Sequence, residues 1–234
     1  MDARRIELAK NLKAVRQQIS EVAEECGRQP SEITLIGITK NFPASDAVIL
    51  SELGLLDLGE NRVQEAERKY QEAEALRSEK ITWHFVGQLQ RNKVRTLLSF
   101  ADVIHSVDRS SLIKDLSSEV QRSGQSPILL IQINLDPDDG DRGGVNPSDL
   151  IRLADEIVER GLRLGGVMAV APIKSSPERA FAELARLHNL LLGQHPGAKW
   201  RSAGMSGDFG AAIKFGATHL RLGSSILGSR HLLQ

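Results

Sequence analysis

The sequence predicts an α/β fold: a single (β/α)8 TIM barrel with one extra helix at its N-terminus. Three observations predict it. Eight short apolar or β-branched runs alternate with longer helical patterns, no linker or low-complexity stretch divides the 234 residues, and a charged amphipathic segment precedes the first run. The expected domain organisation is one barrel over 1–234, with 1–27 forming a helix packed on it. A doubly wound open sheet is the alternative, and the lack of a glycine-rich dinucleotide turn after the first run argues against it.

The N-terminal segment carries Leu8, Leu12, Val15, Ile19 and Val22 at three- and four-residue steps, an apolar stripe meant for the body of the protein. Its frequent charges exclude a signal peptide or a membrane span. The predicted strands are 33–40, 56–60, 82–87, 102–107, 127–135, 162–170, 199–204 and 218–223. Between them, 148–160 reads as a helix capped by Ser148, with Leu150, Leu153, Ile157 and Val158 as its stripe and Gly161 as its stop. Residues 177–192 repeat the logic, with Ser176 as cap, Pro177 in first position and Gly193 after the last leucine.

With 41% hydrophobic residues the chain can bury a large core, and thirty basic residues balance thirty acidic ones. No overall field favours nucleic acid or an anionic membrane, so any anion must be recognised locally. Cys26 is the only cysteine, which excludes an internal disulfide and a cysteine-rich metal site and fits a reducing, cytoplasmic setting. At a predicted helix end it reads as a bystander thiol.

Chemistry in such barrels gathers where strands end. The run "ITLIGITK" ends on Lys40, whose parity with Ile36 and Ile38 turns it toward the interior at the rim. Asn61 follows the second strand in "LGENR". Ser206 and Gly207 lead into a short helix at 208–214, and Gly223 with Ser224 opens the final turn, so amides and hydroxyls converge as a phosphate cradle after strands seven and eight. Arg221, two residues before Gly223, points into the mouth, where its partner is either a ligand or the carboxylate of Glu60. Desolvation and Arg221 both favour a neutral, nucleophilic Lys40 amine. An aldehyde bearing a phosphate and a ring nitrogen for an arginine describes pyridoxal 5′-phosphate. Two alternatives stay open: Lys40 snorkels to water, or it holds a phosphorylated substrate by charge alone.

At these residues the chain resembles the pyridoxal phosphate homeostasis protein family, the YggS- and PROSC-like proteins, from about residue 4 to 230. The marks are "ITK", "LGENRVQEA", "WHFVGQLQRNK", "IHSVD", "GVMAVAP", "AGMSGDF" and "LRLGSSILGSR", in order and in register. The resemblance implies a barrel of the alanine-racemase type holding pyridoxal 5′-phosphate as a Schiff base on Lys40. It further implies that Ser206, Gly223 and Ser224 hold the phosphate, that Arg221 contacts the pyridine nitrogen, and that Asn61 lies near the ring. Two positions depart from the family: Asn41 follows the lysine where threonine is commoner, and Arg142 stands in the 136–144 loop where many relatives carry lysine.

An arginine at the pyridine nitrogen disfavours a second positive charge there and so weakens the electron sink. Racemases of this barrel type draw a second acid/base tyrosine from a C-terminal β-domain, whereas this chain ends at Gln234. Its only tyrosine, Tyr70, falls in the charged segment 65–77, read as a solvated outer face. His84, His105 and His219 read as satisfied core residues, while His188, His195 and His231 fall on helix or loop, and none has metal-ligand spacing. In "WHFVGQLQRNK", Gly87 allows a tight turn and Arg91, Asn92 and Lys93 begin and solvate a helix.

The expectation is therefore a monomeric, non-enzymatic carrier of pyridoxal 5′-phosphate involved in intracellular homeostasis of that cofactor, handing it to apo-enzymes that depend on it. The competing expectations are a small racemase or lyase using the same cofactor, and an aldolase in which Lys40 attacks substrate directly.

Overall fold

The computed structural model describes residues 2–77, 79–136, 143–173 and 175–228, so Arg142, with the rest of 137–142, and His231 lie outside the described residues. Helix α1 (Asp2–Glu25) comes first. Eight strand–helix units follow: β1 (Thr34–Ile38) and α2 (Ala44–Glu52), β2 (Asp57–Glu60) and α3 (Val63–Leu76), β3 (Thr82–Phe85) and α4 (Val94–Leu98), β4 (Val103–Val107) and α5 (Ser110–Ser123). Then come β5 (Ile128–Gln132) and α6 (Leu150–Glu159), β6 (Arg163–Met168) and α7 (Pro177–Gln194), β7 (Trp200–Ser202) and α8 (Phe209–Lys214), β8 (His219–Leu222) and α9 (Ser224–Leu227). The strands pair in sequence order, all parallel, and β8 closes on β1 with Ile36 opposite Arg221. All eight predicted strands are present, each trimmed at one or both ends.

Alternation sorts the side chains. In β2, Leu58 and Glu60 face the helical layer, since Glu60 meets Lys69 of α3, while Gly59 lies inward beside Ile36 and Ile38. Helix α1 buries Leu8, Leu12, Val15 and Ile19, none more than 5% exposed. Polar contacts fix its placement: Arg4 donates to the buried Asp46 carboxylate at 2.6 Å, Arg16 to Gly54 O at 2.6 Å, and Asn11 to Ile226 O at 3.0 Å. It thus ties the first helical unit to the last.

Three helix-end expectations need correction. Asn146, not Ser148, caps the helix after β5: its Oδ1 accepts from Ser148 N at 3.0 Å at the head of a 3-10 turn that precedes α6. Val158 leaves the apolar stripe and is 48% exposed. Helix α7 runs through Gly193 to Gln194, because the residue before Pro196 rather than the glycine is the one that helical geometry disfavours. Gly161 (φ +71°) and Ser176, which accepts from Arg179 N at 3.3 Å, act as expected.

The segment expected to be a solvated face, α3, is not one throughout. Lys69 is 4% exposed, and Tyr70 packs edge-on to Trp83 and stacks on Phe100. Their places follow the spacing Val63, Ala66, Tyr70, Ala73. Among the described residues no helix is long and apolar enough to cross a membrane.

Candidate functional site

At the C-terminal end of the barrel a cavity of about 520 Å³ opens, and Lys40, Asn61, Ser206, Arg221, Gly223 and Ser224 all line it. Six residues expected together, from four segments of the chain, share one wall system. Ile38, Phe42, Val86, Met168 and Met205 supply its apolar surface.

Lys40 stands in the turn after β1, and its two neighbours are held from outside the barrel. Thr39 Oγ1 donates to Glu60 Oε1 at 2.6 Å, Lys69 Nζ donates to Thr39 O at 2.6 Å, and the Asn41 amide donates to the Glu65 carboxylate. Asn41 takes a left-handed backbone (φ +64°), a conformation that asparagine tolerates better than most residues. Glu60 and Lys69 form a buried ion pair. Burial pushes the Glu60 carboxyl above its ordinary range, against the opposing pull of Lys69. The lysine that faces the cavity is thus presented by a backbone segment clamped to α3.

On the opposite wall, Ser206 Oγ lies 3.2 Å from Ser224 Oγ and 3.1 Å from Ser225 Oγ, a cluster of three hydroxyls where the turns opening α8 and α9 meet. The first amides of each turn have no partner within it and complete a donor set suited to phosphate oxygens. A Cβ at Gly207 would meet nothing within 4 Å, so the cradle has room. Gly223 is needed for approach: a Cβ there would sit 3.1 Å from Ile38 O, where β8 passes β1. Gly87 stands at a bend, as expected, and it also permits close approach, because a Cβ there would fall 2.0 Å from Asn61 O.

Arg221 is 5% exposed and donates from Nη1 to Ser202 Oγ at 2.6 Å and from Nη2 to Ala169 O at 2.8 Å. Burial lowers its pKa to about 10. Glu60, the carboxylate considered for it, faces the other side of the sheet and belongs to Lys69. His105 and His219 are buried and held neutral: burial lowers both, His219 to about 3, with His84 and Arg221 adding to the effect. Among the described residues no tyrosine, histidine, cysteine or carboxylate lines the cavity, and no group of three or more such ligands could hold a metal. The residues that the sequence reading missed are Thr39, Lys69, Ser202 and Ser225. Only Ser225, adjacent to Ser224, carried a signal.

No family model matches the chain. A curated relative from Mycobacterium leprae, named pyridoxal phosphate homeostasis protein, is 41% identical over 98% of this chain and 95% of its own. The chain belongs to the pyridoxal phosphate homeostasis protein family. PipY of Synechococcus elongatus, solved with PLP bound, is 32% identical over 94% of this chain and all of that one, with a TM-score of 0.82. Alanine racemase of Clostridium difficile, 15% identical with a TM-score of 0.67, shares the fold, which makes this an alanine-racemase-type barrel.

Proposed function

We propose that this family member binds pyridoxal 5′-phosphate in the barrel mouth, keeps it in reserve and releases it to apo-enzymes that require it. The observation that carries this reading is the placement of the Lys40 amine, the Arg221 guanidinium and the Ser206 and Ser224 hydroxyls around one cavity, with Ser225 hydrogen-bonded to Ser206. When bound, the cofactor supplies an aldehyde that a lysine amine takes up reversibly as a Schiff base. The chain's own residues do the rest. The serine hydroxyls and turn amides bind the phosphate, Arg221 meets the ring nitrogen, Asn61 flanks the ring, and the clamp on Thr39 and Asn41 orients Lys40.

Turnover is disfavoured on two grounds. Among the described residues the lining offers Lys40 as its one proton carrier, and the only tyrosine, Tyr70, lies in the aromatic cluster of α3. A cationic, buried arginine also opposes protonation of the ring nitrogen. We place the protein in the cytoplasm as a monomer, with apo-enzymes as its recipients.

The test is to load the protein with pyridoxal 5′-phosphate, offer it to an apo-enzyme of that cofactor, and in parallel incubate it with L- and D-alanine in heavy water. Activation of the apo-enzyme, with α-deuterium incorporation no faster than free cofactor gives, is expected. Interconversion of the alanine enantiomers would make it a racemase, and a protein that takes up no cofactor would leave the aldolase reading standing.

A further inference from the structure

The barrel interior carries a run of polar side chains where branched apolar residues usually pack. Asp57 opens β2 at the end of the barrel opposite the cavity, and its side chain is 32% exposed. Its Oδ1 lies 2.9 Å from His84 Nε2, His84 Nδ1 lies 2.9 Å from His105 Nε2, and His105 Nδ1 lies 2.9 Å from Ser202 Oγ. Ser202 Oγ then accepts from Arg221 Nη1 at 2.6 Å. Five residues from five strands form one unbroken chain, and its four inner members are each at most 5% exposed.

The chemistry of its ends fixes its direction. A guanidinium only donates and a carboxylate only accepts. With one ring hydrogen on each imidazole, only one assignment satisfies every link. Arg221 donates to Ser202, Ser202 donates to His105 Nδ1, His105 Nε2–H donates to His84 Nδ1, and His84 Nε2–H donates to Asp57. Reversing any inner link leaves two acceptors or two donors facing each other in a buried setting, which is costly. Arg221 makes no ion pair among the described residues; Asp208 favours its charge through space, and Asp57 is the carboxylate that this chain of hydrogen bonds reaches.

We propose that Asp57, His84, His105 and Ser202 are positioning residues, a directed hydrogen-bond relay through the barrel that holds the Arg221 guanidinium toward the bound cofactor's ring. The role at the ring rests on the proposed function; the relay does not. Ser202 accepts from Nη1 with one lone pair while its own hydrogen goes to His105, which fixes the hydroxyl's orientation, and His84 with Asp57 fixes the His105 tautomer that accepts it.

The experiment has two parts. Long-range 15N NMR of the cofactor-free protein should show His84 and His105 both as neutral Nε2–H tautomers. Pyridoxal 5′-phosphate titrations should then show Ser202→Ala binding about 10-fold more weakly, the size of one hydrogen bond to a charged group, with a displaced visible band. Ser202→Thr, which keeps the hydroxyl, should recover affinity to within about 2-fold. Asp57→Leu should weaken binding about 3-fold from the far end of the barrel, whereas the isosteric Asp57→Asn, which still accepts, should not. Borohydride should still fix the cofactor to Lys40 in each variant. A hydrogen on Nδ1 of either histidine, or affinity and band unchanged in both Ser202→Ala and Asp57→Leu, overturns the relay. Failure of the unmodified protein to take up cofactor overturns the functional reading and the relay's role at the ring, while the tautomers report on the relay itself.

Discussion

The residues that titrate least readily here are the ones with the clearest consequence for stability. His219, its ring tilted against Trp200 at 4.3 Å between centroids and bonded through Nδ1 to Thr218 Oγ1 at 2.8 Å, has its pKa lowered by burial from 6.5 to about 3. The unfolded chain therefore binds a proton at this side chain between those two values that the folded chain does not. Stability from this source is complete above pH 6.5 and is lost as pH falls toward 3. At pH 5 the loss from His219 alone is about 2 kcal/mol. His105 and His188, also lowered by burial, act in the same direction. Glu60 acts in the opposite one: its pKa is raised, so it favours the folded state at low pH and ceases to as pH rises through its folded value. Three histidines thus act against one carboxyl as pH falls from 7 to 5. Urea midpoints at pH 7.5 and 5.0 should show the fold weakening in acid, with a smaller drop in His219→Gln; equal midpoints would contradict the burial argument.

At the scale of elements, the decisive contact is between α3 and the end of β1. Lys69 reaches across to Glu60 and to the carbonyl of Thr39, one residue before Lys40. Replacing it with alanine leaves Glu60, 1% exposed, without its counter-ion, and breaking such a buried pair costs about 3–5 kcal/mol. Denaturant unfolding of Lys69→Ala should register that loss, and Lys69→Ala combined with Glu60→Gln should recover part of it. A change below about 1 kcal/mol would mean that the pair is not buried as described. This clamp was invisible in the sequence for a physical reason. A lysine within a run of Glu, Arg and Gln reads as a solvated face, and only the turning of Glu60 toward the helical layer reveals its acceptor. Most else at this scale was legible. The eight strands and the stripe of α1 follow from periodicity, and the strand-end rule brought out Lys40, Asn61, Ser206, Arg221, Gly223 and Ser224. What failed were local end signals: Ser148 lost to Asn146 as a cap, and Gly193 was carried through α7, because a single capping residue or glycine is a weaker determinant than the neighbouring Asx turn or proline. The partners of buried polar groups, such as Ser202 of β7 for His105 of β4, depend on which side chains meet across the barrel interior and have no one-dimensional signature.

At the scale of the whole molecule, a closed barrel gathers distant segments onto one rim: β1 brings the amine, β8 the arginine, and the turns after β7 and β8 the hydroxyls. Its helical layer supports that rim from outside through α3 and α1, and its interior ties the arginine to the opposite mouth. The central claim is that this rim takes pyridoxal 5′-phosphate on Lys40. The most direct measurement is to add the cofactor, reduce with borohydride, and map the modified peptide by mass, with Lys40→Ala alongside. Cofactor mass fixed on Lys40, together with a visible band absent from the variant, is the predicted result. Label scattered over surface lysines, or an equal yield in Lys40→Ala, would contradict it.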